Sequence, residues 1–122
     1  MALTNLHPVS EVVVYAHSAS VGASPIAALA VAPFRGKIVK VGCVLVSGIS
    51  TSNLLVSTAI NGTAITGGGF SVTATSSVAG TMGSAVPTGA NVVVEDDYIT
   101  FTPSVAAGTT VPATFFAVIR RS

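Results

Sequence analysis

The sequence predicts an all-β fold, a sandwich or barrel of about eight strands with no significant helix. Apolar residues recur with period two along most of the chain, and Gly, Pro, Asn and Ser interrupt them at short intervals. The chain has 122 residues and is 50% apolar, enough for one core. A single domain is therefore expected over residues 11–122, preceded by an arm of residues 1–10.

The elements follow in order. "EVVVYAH", Glu11 to His17, is the first strand, and "SASVGASP" after it is a loop. "IAALAVAPF" is rich in Ala, but Pro25 and Pro33 bracket it, so it reads as an extended segment. "GKIVKVGCVLV", Gly36 to Val46, is apolar on both parities, as a strand covered on both faces must be. After the loop "SGISTSN", the strand "LLVSTAI" runs into Asn61-Gly62. Both residues of that pair tolerate the positive φ of a type I′ turn, which predicts a hairpin with "TAIT" as the return strand.

The triple glycine, Gly67 to Gly69, is a joint before "FSVTAT", where Phe70, Val72 and Ala74 alternate with Ser71, Thr73 and Thr75. From Ser76 to Ala90 small residues without periodicity predict a long loop or arm. "NVVVEDDYITFTP" resumes strand character, with Ile99 and Phe101 facing one way. "VPATFFAVIRR" is the last strand, with Phe115, Ala117 and Ile119 on one face and Phe116, Val118 and Arg120 on the other. The expected core is Ile38, Val39, Val41, Val44, Phe70, Val72, Ile99, Phe101, Phe115 and Ile119.

Charged residues are only 7% of the chain, against roughly 25% in an average soluble protein. So few charges predict that much of the surface is covered, by lipid or by other subunits. A membrane helix needs about 20 apolar residues in a row, which this chain lacks, and five Phe, two Tyr and no Trp are too few for the aromatic girdles of an outer-membrane barrel. No membrane partner is expected. The N-terminus, "MALTNLHPVSEVVVY", has no secretory pattern, so function without secretion is the expectation. Net charge is +1 with five scattered cations, which does not make a nucleic-acid stripe.

No catalytic constellation can be assembled. Glu95-Asp96-Asp97 could serve acid/base or cation chemistry only if a bend brought the three carboxylates together, and the plainer reading is a turn before "YITFTP". His7, His17 and Glu11 are a conceivable but poorly supported metal set. Cys43, in "KVGCVLV", reads as a small buried hydrophobe. No G-x-S-x-G is present, and the triple glycine lacks the Lys-Ser or Lys-Thr of a phosphate loop. Asn61-Gly62-Thr63 matches a glycosylation sequon that has no use without secretion. No cofactor, metal or enzymatic activity is expected.

Five pieces of the sequence carry a resemblance: Ala32-Pro33-Phe34, Gly36-Lys37-Ile38 leading into a Val-rich strand, Asn61 to Gly68 ("NGTAITGG"), Pro87 to Asn91 ("PTGAN"), and Asp97 to Phe101 ("DYITF"). Over residues 32–103 the chain resembles small capsid decoration, or cement, proteins of tailed bacteriophages. It departs from them at Asp96, where a Gly directly before the Asp is frequent. The resemblance implies a jelly-roll or related two-sheet β-sandwich, made in the bacterial host cytoplasm. It would sit on the outside of an icosahedral head as dimers or trimers and clamp neighbouring major capsid proteins. A tail-fibre or spike module that binds host glycan is the alternative. Candidate capsid or subunit contacts are Leu3, Leu6 and Val9 in the arm, which have no place in a strand, and Val78, Met82 and Val86 in the small-residue loop.

Overall fold

A computed structural model describes residues 10–49, 52–74, 77–104 and 110–121. They form ten strands: β1 (Glu11–Ser18), β2 (Ala28–Val31), β3 (Gly36–Leu45), β4 (Leu54–Ile60), β5 (Thr63–Ala64), β6 (Phe70–Val72), β7 (Met82–Ala85), β8 (Val92–Val93), β9 (Tyr98–Pro103) and β10 (Ala113–Arg121). The described residues contain no α-helix. Two antiparallel sheets pack face to face. Sheet A runs β1-β10-β3-β7, with β8 also on β3, and sheet B runs β2-β9-β4-β5, with β6 also on β4.

The pairings are nested. β1 pairs with β10, β2 with β9, β3 with β7 and β8, and β4 with β5 and β6. That is one long hairpin rolled so that its successive rungs fall alternately in the two sheets, the jelly-roll arrangement. The about eight strands read from the sequence become ten because two positions are split: β5 and β6 share one edge, β7 and β8 the other. Four positions per sheet remain. An isolated bridge between Thr66 and Gly89 ties the two split edges together.

Alternation decides most of the core. Phe101 and Phe115 are fully buried from opposite sheets and stack with ring centroids 5.2 Å apart and planes at 18°. Ile38, Val41, Phe70, Val72, Ile99 and Ile119 join them, as the sequence predicts.

Val39 and Val44 do not belong to the core. The register between β3 and β10 shifts at Val118/Ile119, where Ile38 pairs with Ile119 but Lys40 pairs with Val118. Val39 is the extra residue of a β-bulge, and it shifts the inward parity of β3 from even to odd. Val41, Cys43 and Leu45 therefore point inward, while Val39 is half-buried and Val44 is 37% exposed. Cys43 takes the place assigned to Val44. Burial pushes its thiol up to about 11, although a backbone contact with Gly83 acts in the opposite direction.

The segment expected as a loop from Ser76 to Ala90 contains β7, which pairs with Val41–Val44 of β3. Gly83 permits this pairing. It faces inward opposite Cys43, and a Cβ there would lie 2.8 Å from Val72 Cγ2, so β7 approaches β6 closely because the side chain is absent.

Two turns follow the sequence reading. Asn61 and Gly62 have φ of 48° and 90°, as a type I′ hairpin requires, and β5 returns along β4. The acidic trio turns the chain between β8 and β9. Asp97 Oδ2 accepts from the Val94 N–H at 2.9 Å and Oδ1 from Asn61 Nδ2 at 2.9 Å, and these two bonds hold its carboxyl below the ordinary 3.8. Asp96 has a φ of 73°, so the position where the resembled family often carries Gly is a left-handed one. Asp96→Gly is expected to keep full stability, whereas Asp96→Val, whose branched side chain cannot easily adopt that φ, costs about 1–2 kcal/mol in urea unfolding. Equal loss for both would show that the Asp96 carboxylate, not its backbone, matters.

Candidate interaction surfaces

Hydrogen bonds draw the five resemblance segments together at one end of the sandwich. Ala32 N–H donates to Asp97 O and Asp96 N–H to Ala32 O, while Asn61 reaches Asp97 and the Tyr98 N–H. Ile38 N–H donates to Asn91 O, and the buried Asn91 returns its Nδ2 to Ile38 O at 2.7 Å, beside the bulge. Thr66 N–H donates to Gly89 O. These motifs are joints of the fold. Their residues bond to one another and do not converge on a ligand site.

Charge is concentrated at the same end. Of the nine charged residues, eight lie where β1, β3 and β9 begin and β10 stops: Glu11, Arg35, Lys37, Glu95, Asp96, Asp97, Arg120 and Arg121. Lys40 lies further along β3. In sequence, the stretches that join Ser18 to Ala28, Leu45 to Leu54, Val72 to Met82 and Pro103 to Ala113, the strand ends away from that charge, contain no Asp, Glu, Lys or Arg. Arg121 sets its guanidinium 4.1 Å from the centre of the Phe34 ring, a cation–π contact.

The register maps the outer face of sheet A in four rows. Glu11, Arg120, Lys37 and Val92 form one; Val13, Val118 and Lys40 the next; then Tyr15, Phe116, Gly42 and Ser84; then His17, Thr114, Val44 and Met82. Arg120 Nη2 and Glu11 Oε2 are 2.6 Å apart in an exposed ion pair, whose contribution to stability is small. The apolar side chains form a band across the last three rows, from Val13 and Val118 in the second through Tyr15 and Phe116 in the third to Val44 and Met82 in the fourth. Gly42 leaves room for Phe116, since a Cβ there would lie 2.6 Å from its Cζ. The band is built on hydrogen-bonded strands, with Lys40 in its second row and Lys37, Arg120 and Glu11 in the row beside it.

Of the sequence-predicted contact residues, Met82 stands in this band on β7, and Val86 just beyond β7 is exposed as well. Val78 is exposed in the turn before β7, away from the charged end. Leu3, Leu6 and Val9 lie outside the described residues. Ser10, assigned to the arm, accepts from the Arg121 N–H at 2.7 Å, so pairing at the β1 edge begins one residue early. Tyr15, Phe116 and Val13 complete the band, yet period two alone did not single them out; their adjacency depends on β1 pairing with the distant β10.

The conceivable metal set is not assembled. His7 lies outside the described residues, and Glu11 and His17 stand six positions apart on one strand, about 20 Å. Among the described residues no group of three His, Cys, Asp or Glu could hold a metal, no cavity opens, and no helix is long and apolar enough to cross a membrane. No protein-family description and no curated protein sequence matches the chain.

Proposed function

We propose that this chain is a non-enzymatic structural protein of a bacteriophage virion, which binds the outside of an icosahedral head and cements neighbouring major capsid proteins. The observation that carries the reading is the outer face of sheet A: an apolar band beside three cations and one carboxylate, in a chain of which only 7% is charged. Such a face suits a broad, acid-bearing protein surface better than a small molecule. Many copies on one lattice turn modest contacts into firm attachment. The resemblance over residues 32–103 points the same way, and the jelly-roll is the fold it implies.

The glycan-binding alternative has one feature in its favour. Tyr15 pairs across the strands with Phe116, and exposed aromatics are what sugars stack on. The other tyrosine, Tyr98, is on sheet B, so it adds nothing to that platform.

Cosedimentation of the purified protein with expanded, undecorated heads tests the proposal. Saturable binding at a fixed copy number per capsomer is expected, weakening as salt rises. Lys37→Glu with Lys40→Glu, and separately Met82→Asp, should each reduce affinity at least about tenfold. Absence of binding to heads, together with retention on a glycan array through Tyr15, would replace this function with the alternative.

A further inference from the structure

The joint at the charged end holds a reactive pair that the proposed function does not use. Asn61 and Gly62 are both exposed, and a Cβ on Gly62 would meet nothing within 4 Å, so no neighbour shields the backbone nitrogen between them. In an Asn-Gly pair the glycine nitrogen can attack the asparagine side-chain carbonyl carbon, which makes such asparagines thermolabile. The new C–N bond closes a succinimide ring. The Cγ–Nδ2 bond breaks, and ammonia leaves with the proton that the glycine nitrogen gives up. Water then opens the ring, its hydroxyl going to one of the two carbonyl carbons and its proton to the ring nitrogen, to give aspartate or isoaspartate.

The fold holds this amide away from the attack. Asn61 Nδ2 donates to Asp97 Oδ1 at 2.9 Å, and Asn61 Oδ1 accepts from the Tyr98 N–H at 3.0 Å. Both partners stand where β9 begins, so the side chain is drawn to the β9 side of β4. Gly62 leaves on the other side, where the turn returns along β5. Asp97 is itself fixed, because its Oδ2 accepts from the Val94 N–H. A carboxylate is a strong acceptor, so the bond to Asp97 is the firmer half of the clasp.

We propose that Asn61 is a site of spontaneous deamidation kept closed by the clasp of Asp97 and Tyr98, so that opening of the clasp, not exposure of the turn, starts the conversion. Water is the only co-reactant. An aspartate at position 61 would turn an acceptor toward Asp97 where a donor stood, and the two carboxylates would repel. Conversion therefore weakens the joint between the β4–β5 and β8–β9 turns.

Full-length protein held at mildly alkaline pH tests this, with the exchange of ammonia for water at Asn61 followed by peptide mass spectrometry. Native protein should convert at least about tenfold more slowly than the same chain in urea, because two hydrogen bonds must open first. Asp97→Ala should raise the native rate at least about tenfold. Phe101→Ala weakens the core but keeps the clasp, so it should stay slow. Unfolding midpoints show which variants fold. Wild-type hydrogen exchange needs no variant: the Tyr98 amide reports clasp opening, and conditions that speed its exchange should speed deamidation in proportion. Native protein converting as fast as the chain in urea would overturn the proposal. So would a folded Asp97→Ala protein that converts at the wild-type rate, a folded Phe101→Ala protein that converts as fast as Asp97→Ala, or a Tyr98 amide that exchanges freely while Asn61 stays intact.

Discussion

Phe101→Ala lowers the unfolding free energy by about 3–5 kcal/mol, the range for emptying a buried phenylalanine site. The ring is fully buried near the middle of the sandwich, where β9 of sheet B and β10 of sheet A face each other, and it stacks on Phe115 at 5.2 Å. Its neighbours are mostly branched aliphatics fixed on strands, so the walls of the cavity cannot relax inward without breaking ladder hydrogen bonds. A domain of this size holds about 5–15 kcal/mol in total, so one substitution removes at least about a fifth of it. Urea unfolding should show a lower midpoint at an unchanged slope. Phe116→Ala is the control, because Phe116 is one residue away but points to the outer face of sheet A and is only half-buried. A similar loss for both variants would mean that the stacked pair is not the centre of the core.

Much of this core was legible in the sequence, and the misses share one cause. Period two assigns faces correctly while a strand stays regular, as in "YITFTP", where Ile99 and Phe101 are inside and Tyr98 and Thr102 outside. In "KIVKVGCVLV" both parities are apolar, so the pattern cannot reveal the bulge that turns Val39 and Val44 outward. β7 was hidden for the opposite reason. Its sequence, "MGSA", is nearly featureless because Gly83 must be small where the two sheets converge. The interaction faces were legible only as a shortage of charge. Which exposed residues adjoin, as Tyr15 adjoins Phe116, depends on pairing between residues about a hundred positions apart, and no local pattern encodes that.

The same convergence of chain segments makes Gly36→Ala costly, by roughly 2–3 kcal/mol from overpacking. Gly36 opens β3 opposite Arg121 and Val93, between the β10 and β8 ladders. A Cβ there would sit 2.4 Å from the Arg120 carbonyl oxygen and 2.8 Å from Ile119 Cγ2. The first obstacle is backbone, so relief requires β3 and β10 to separate just where Asn91 clamps Ile38 to hold the bulge. Ile119 and Ile38 would be displaced with them, carrying the damage into the core. Gly62→Ala is the contrast: its Cβ meets nothing within 4 Å, but φ is +90°, so the cost is conformational and near 1 kcal/mol. Amide hydrogen exchange separates the two mechanisms. Gly36→Ala should lose protection along β3 and β10 while Gly62→Ala loses it only at the β4–β5 turn. Uniform loss in both would mean that the charged end unfolds with the whole domain rather than as a local joint.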